Sequence, residues 1–516
     1  MKFHKKLISL ILIITLLSPS ALALETKKVK SGTSPHRLAE PRAVVATPSN
    51  TPSGIEKGAM LNLTDCITIS LNNSPLVKRT IYNLKTAKNN ISIAKSAYTP
   101  TISAGVGYNQ NFNSSNGNVM RNNYSNRTFP SVSASINQML FNFGKTISAV
   151  KMQKYNKIAA EYEFDYSVLT TTFNVKLKYY AVLAAKSVMD IERSNVQITE
   201  RNYIRTEAYY EEGIRSRIDL VNAEVNLSDA KVALVQAENN YKNALVELNN
   251  AMYVAYAPEY EISNTETFNL ANPYVPVSLT KIANDRDLSE VPAPVQDAVL
   301  TSGVQKSEVL EDYKFQKYPY TFEESVELAM KNRPDLKALN STVKAMEQAL
   351  LNVKRQYYPT LSANVGYGLA NTKTYTNNSM SISIDLSTSF NIFQLQKEID
   401  NAKIQVEYAQ NEVGLLSQNL YFDVQNAYID MIQLEKQIPL LETKVRQTLE
   451  NLELADGRYE VGLGDYIQLQ DARVNYNNAQ NTYVQTIYKY NVARATLEQA
   501  IALNQEVTLT VKDLKL

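Results

Sequence analysis

The chain contains two copies of one unit, and this duplication restricts its fold more than any composition value does. The first copy opens Leu63-Thr64-Asp65-Cys66-Ile67 and reaches Asn73-Ser74-Pro75. The second opens Phe322-Glu323-Glu324-Ser325-Val326 and reaches Asn332-Arg333-Pro334. Tyr98 to Tyr108 matches Tyr357 to Tyr367 at an offset of 259. Leu140 to Lys145 matches Ile392 to Lys397 at an offset of 252, and Phe173 to Ala251 matches Phe422 to Ala500 at 249. The length differences fall mainly between Tyr108 and Leu140, where a variable loop belongs. Each copy predicts the order helix, strand, loop, strand, very long helix, tight turn, helix.

The first helix has a start signal at Thr64 and Asp65 and is expected to end near Tyr98. From Lys145 to about Tyr209 there is no Pro and no Gly. One continuous helix there would be ~100 Å long at 1.5 Å per residue. That is a rod rather than a globular helix. In the following helix Ala223, Leu227, Ala230, Leu234, Ala237, Tyr241, Ala244, Leu248 and Ala251 are spaced alternately four and three apart. The twin series runs Ala472, Tyr476, Ala479, Tyr483, Thr486, Tyr490, Ala493, Leu497 and Ala500. Alternating small and large residues at heptad spacing make a close helix seam. A second stripe, Val221, Val225, Val232 and Val235, gives this helix a neighbour on both sides. Such a helix fits a closed cylinder, and the seam alone also fits an ordinary two-helix coiled coil.

The strands alternate with period two. Thr101, Ser103, Gly105 and Gly107 face one way; Ile102, Ala104, Val106 and Tyr108 face the other. Ser131, Ser133 and Ser135 alternate with Val132, Ala134 and Ile136, and Ser381, Ser383 and Asp385 with Ile382, Ile384 and Leu386. This pattern fits a half-buried soluble hairpin and also a membrane barrel strand with lipid on one side and water on the other. Four strands cannot close around an aqueous lumen. A membrane barrel would therefore need several chains, and three would supply twelve strands.

The turn Tyr210 to Asp219 and its twin Tyr459 to Gln468 join the long helix to the next one. Gly213 and Gly462 fit left-handed caps, and Asp219 and Asp465 fit the start of the next helix. In a ring of chains these tips form a rim. Asp219 and Asp471 would then recur around a constriction and set ion preference. Arg215 and Arg217 fit rim ion pairs or solvated positions.

Residues 1–23 predict a cleavable secretory signal. Lys2, Lys5 and Lys6 precede an apolar run from Leu7 to Leu17, and Ala21-Leu22-Ala23 is a small-x-small site. Its loss removes three lysines from a chain of 53 basic and 51 acidic residues and leaves a net charge of −1. No global basic field for nucleic acid remains. The only two histidines, His4 and His36, lie outside the repeats, which excludes a His-based reaction centre there. The single cysteine, Cys66, sits in a helical pattern and is expected in the core. Carboxylate-only chemistry stays formally open, although no paired acids stand out. The organisation expected is a signal peptide at 1–23, a flexible arm at 24–60, a first repeat at 61–256, a linker or equatorial region at 257–319, a second repeat at 320–502 and a tail at 503–516.

The openings Leu63 to Pro75 and Phe322 to Pro334, the Tyr-x-Pro strand starts at Tyr98 and Tyr357, Phe141-Asn-Phe-Gly144, and Tyr459-Glu-Val-Gly-Leu463 together resemble the TolC-like outer-membrane efflux proteins. The resemblance covers roughly residues 61–255 and 320–502. It implies an α+β membrane protein: a homotrimer with a twelve-stranded β-barrel in the outer membrane, continued by a twelve-helix α-barrel across the periplasm. It implies a passive duct for drugs or secreted polypeptides, as in efflux and type I secretion, without enzyme activity or cofactor. A periplasmic membrane-fusion adaptor and an inner-membrane pump would be its partners. By position the adaptor-docking tips fall on Glu212, Gly213 and Ile214 and on Val461, Gly462 and Leu463. The tunnel mouth falls on Tyr210, Asp219, Tyr459 and Asp471. Two positions depart from the pattern: Gln468 stands where some members carry Asp, and Gly464 where an arginine can lock the mouth. A secreted coiled-coil spacer or adhesin is the competing reading, and it leaves the duplicated hairpins without a role.

Overall fold

The computed structural model describes residues 55–113, 125–263, 318–371 and 376–503. The expected leader, nearly all of the arm, positions 264–317 and the tail from 504 lie outside the described residues. The first copy comprises α1 (Leu63–Asn73), α2 (Pro75–Ser96), β2 (Thr101–Asn113), β3 (Ser125–Phe141), α3 (Lys145–Glu211) and α4 (Arg217–Ala251). The second comprises α5 (Phe322–Asn332), α6 (Pro334–Lys354), β5 (Thr360–Asn371), β6 (Thr376–Ser387), α7 (Ile392–Glu460) and α8 (Tyr466–Ala500). Two short strands, β1 (Met60–Leu61) and β4 (Glu261–Ile262), pair in parallel and tie the start of the first copy to its end.

The first helix of each copy is two helices, not the single one expected. Proline has no N–H to donate and disfavours helical backbone in the residue before it. Ser74 and Arg333 accordingly have ψ of 117° and 118°, and Pro75 and Pro334 open the next helix. The start signal also lies two residues earlier than Thr64. Asn62 is the cap: its side chain accepts from the Asp65 N–H at 2.8 Å, and Asp65 accepts from the Asn62 N–H at 3.2 Å. Thr321 and Glu324 repeat this box in the second copy.

The long helices have 67 and 69 residues. α7 continues through Pro439. α4 lies along α3, and α8 lies along α7. Two further contacts join the copies: α6 and α8 both pack on α3. The α3–α8 seam is polar. Glu192, buried, accepts from Asn477 at 3.1 Å and Asn481 at 2.7 Å, Ser187 bonds the Tyr488 hydroxyl at 3.1 Å, and Lys176 meets Glu498 at 3.2 Å. Cys66 is buried in the core of the first copy with Leu63, Ile67, Val175 and Leu248.

The four long strands form one antiparallel sheet in the order β2-β3-β5-β6. The register sets Ser103 opposite Ser135 and Asn364 opposite Ser383. One face therefore carries Ser and Gly; the other exposes Ile102, Val106, Ile382, Ile384 and Leu386. β2 and β6 are unpaired edges within the chain.

At the root of the sheet, Phe143 stacks on Tyr358 at 5.5 Å and Tyr357 meets Phe390 edge-on at 5.2 Å. Lys145 donates to the Tyr358 carbonyl at 2.7 Å. Arg355 donates to the Gly144 carbonyl at 2.7 Å and to Ser148. Gly144 has φ +87°, a left-handed backbone that favours glycine, and the Arg355 guanidinium lies close over it. Asn391 caps α7 through the Phe393 and Gln394 N–H groups, and Asn142 contacts Thr146 in the first turn of α3.

Candidate functional site

The tips of the long helices are built by backbone hydrogen bonds around a glycine. Ile214 donates to the Tyr209 carbonyl at 2.8 Å and Gly213 to that of Tyr210 at 3.0 Å. In the second copy Leu463 donates to Arg458 at 3.0 Å and Gly462 to Tyr459 at 3.2 Å. Gly213 and Gly462 have φ +73° and +74°, the left-handed geometry that ends a helix in this motif. The turns present Glu212, Gly213, Ile214, Val461, Gly462 and Leu463 to solvent. Large apolar side chains at two protruding tips make a pair of contact points rather than a pocket. Ser216 and Asp219 then form a capping box for α4, and Asp465 caps α8.

The four mouth residues named from sequence separate into two environments. Tyr459 is 1% exposed, while its twin Tyr210 is 38% exposed. Asp219 is half-buried and engaged with Ser216 at 3.0 Å; Asp471 is exposed. Tyr459 packs with Ala223, Tyr466 and Leu469, which joins α7, α4 and α8 at the tip. Within the chain the structure thus centres on Tyr459 and leaves Tyr210 and Asp471 at the surface.

Within the chain Arg215 is half-buried against Tyr459. Its guanidinium lies 4.2 Å from the centre of the Tyr459 ring and donates to the Tyr459 carbonyl at 3.0 Å. Arg215 is the counterpart of Gly464 at the offset of 249. A Cβ at Gly464 would lie 2.9 Å from the Tyr459 nitrogen, so no side chain fits there. The second copy's turn has no room for an arginine, and the first copy's arginine covers the tyrosine instead.

A charge cluster beneath this contact was not found from sequence. Arg205 of α3 reaches across to α7, bonding Asp456 at 2.7 Å and Glu460 at 3.1 Å. Burial disfavours the Arg205 cation, but the two carboxylates outweigh it and hold its pKa above the ordinary value. Arg473 of α8 is buried nearby and bonds Gln470 at 3.3 Å; burial pulls its pKa down. Tyr466 accepts from Asn226 of α4 at 2.9 Å, and burial pushes its phenol up. The tip is therefore fastened by the Arg205 ion-pair fork, by the contacts of Arg215 with Tyr459 and by the Asn226–Tyr466 hydrogen bond. Among the described residues no group of three or more His, Cys, Asp and Glu is placed to hold a metal ion.

Comparison with known proteins decides the family. The family model "Outer membrane efflux protein" matches residues 66–252 and 326–503, more than half of the chain. The chain belongs to the outer membrane efflux protein family. The two matched blocks are the two copies. The outer membrane protein TolC of Vibrio cholerae is 24% identical over 166 residues, which is 32% of this chain and 38% of that protein. Solved structures share the fold across most of the chain. The CmeC outer membrane channel of Campylobacter jejuni is 14% identical, with a TM-score of 0.64, covering 85% of each chain. VceC of Vibrio cholerae is 15% identical, with a TM-score of 0.62, covering 85% of this chain and 95% of that one. The MtrE outer membrane channel of Neisseria gonorrhoeae, solved in an open state, is 18% identical, with a TM-score of 0.61, covering 85% and 88%. These comparisons lend no support to a coiled-coil spacer. Among the described residues no helix is long and apolar enough to cross a membrane.

Proposed function

We propose that three copies of this chain close into one water-filled duct, a twelve-stranded barrel in the outer membrane continued by a twelve-helix barrel in the periplasm. The observation that carries this is an uncovered counterpart. Ile191 of α3 is 3% exposed, partly beneath the helices of its own chain; its twin on α7, Leu440, is 71% exposed. Within one chain α8 covers α3, while α4 does not run along α7. Repeating the first contact between chains puts α4 of one copy on α7 of the next. The same step pairs the β2 edge of one copy with the β6 edge of another. The apolar sheet face then meets lipid and the Ser-Gly face meets water.

The duct is passive and not an enzyme: a bore between helices moves cargo down whatever gradient its partners maintain. The exposed tips at Ile214, Val461 and Leu463 dock a periplasmic adaptor, and an inner-membrane pump supplies the energy. The mouth lies at Tyr210, Asp219, Tyr459 and Asp471. Opening it separates α3 from α7 and breaks the Arg205 fork and the Arg215–Tyr459 contact.

The test is the native mass of the detergent-extracted protein followed by conductance in a planar bilayer. A trimer with discrete current steps, enlarged by Arg205→Ala, is the expected result. A monomer without bilayer activity overturns the proposal.

A further inference from the structure

One face of the sheet pairs glycines with serines along its length. Gly105 faces Ser133, Gly107 faces Ser131, Gly366 faces Ser381 and Gly368 faces Ser379; a Cβ at each glycine would lie 2.9–3.3 Å from the serine hydroxyl. Such a surface sorts poorly by size. It carries one acid. Among the four strands Asp385 is the only carboxylate and Arg127 the only cation. Asp385 is held as an acceptor: Asn364 Nδ2 and Ser383 Oγ each donate to its Oδ2 at 2.7 Å. Asn364 in turn accepts from Asn137, so a polar strap crosses β3, β5 and β6.

No cation on the sheet cancels this charge. Arg127 lies ten residues along β3 from Asn137, about 33 Å at ~3.3 Å per residue. That is about three screening lengths at 0.1 M salt. Lys145, near the same end, is tied to the Tyr358 carbonyl at 2.7 Å and to Thr360 at 3.4 Å. Thr360 pairs with Ser387, two positions beyond Asp385. Asp385 is bonded by Asn364 and Ser383 and not by Lys145, whose own charge stands just below the sheet at the start of α3.

We propose that Asp385, repeated around the assembled barrel, sets the charge preference of the bore at its root, favouring cations. This rests on the trimeric duct. It adds a filter in the barrel, at the opposite end of the long helices from the mouth residues Asp219 and Asp471.

The test is Asp385→Asn, which keeps an acceptor oxygen for Asn364 and Ser383 and removes only the charge. Reversal potentials are measured across a potassium chloride gradient from about 0.01 M to 0.1 M, where screening lengths run from ~30 to ~10 Å. The potassium-to-chloride permeability ratio should fall at least about twofold. The difference should vanish near 1 M salt, where the screening length is ~3 Å. An unchanged ratio at low salt overturns the proposal.

A second readout needs no current. Ser387→Cys puts a thiol about 7 Å from Asp385 along β6. Its reaction with a cationic and an anionic methanethiosulfonate is compared with and without Asp385→Asn. The cationic-to-anionic rate ratio should drop severalfold when the charge is removed. An unchanged ratio, or a thiol closed to both reagents, overturns the proposal. A shifted thiol ratio in a protein that carries no current overturns the duct and leaves the local effect of Asp385 standing.

Discussion

α4 and α8 occupy the same place in the two copies, yet one has a covered second face and the other does not. Along α8, Asn481 and Tyr488 bond α3 and Ala495 is buried. Their counterparts and neighbours on α4 include Val232, Val235 and Val246, all more than half exposed. The covered seam carries several hydrogen bonds, and the open face exposes valines among polar residues. A contact formed as one chain folds can afford hydrogen bonds that need exact placement. A contact formed between separate chains gains more from apolar area, at ~25 cal/mol per Å2 removed from water.

The largest effect that would break this comparison comes from charging the open face. Val232→Asp together with Val235→Asp should abolish the trimer, since each buried unpaired charge costs several kcal/mol. Native mass spectrometry reads the outcome, and a trimer of undiminished stability would remove α4 from the interface. The counterpart change Asn481→Asp should leave the trimer and lower only the melting temperature.

Truncation of the twin leucine and isoleucine sharpens the same point. Ile191→Ala should cost about 2–5 kcal/mol in any state of the protein. Leu440→Ala should cost a similar amount in the trimer and almost nothing in dissociated chains. Denaturant unfolding with and without prior dissociation separates the two.

The copies also differ at the tips. Arg205→Ala leaves Asp456 without its cation and should cost about 2 kcal/mol, below the range for fully buried pairs because Arg205 is partly solvated. It should also raise open-channel frequency. Leu454, the counterpart of Arg205, is exposed within the chain, and Leu454→Ala should cost almost nothing in dissociated chains.

The smallest effect is alkaline. Burial raises the phenol pKa of Tyr466 above its ordinary value of about 10. The folded state then holds the proton more tightly than the unfolded state. The stability this gives is complete below pH ~10 and is lost as pH rises through the folded pKa. Tyr466→Phe should flatten the fall in melting temperature between pH 9 and 11, compared over that range with the native protein.

Much of this was legible in the sequence because it repeats or is local. The duplication, the proline-free run from Lys145, the heptad alanines and the glycines 213 and 462 each carry a signal within one segment. The helix break was legible too, since Pro75 and Pro334 mark it, but continuous helical spacing on both sides masked it. The Arg205–Asp456 fork had no such signal. Its partners lie 251 residues apart, in different copies, and only packing of α3 against α7 brings them together. The role of Arg215 was hidden for a related reason: a cation over a ring has no fixed sequence spacing.

The two open edges of the sheet have a consequence for how the protein is made. Backbone groups in hydrocarbon have no water to bond, and each one left unsatisfied costs several kcal/mol. β2 and β6 carry 13 and 12 residues, so a lone copy in a bilayer would strand a long row of such groups on each side. In the proposed barrel a single chain would therefore have no stable station in the membrane, and insertion and ring closure would be one event.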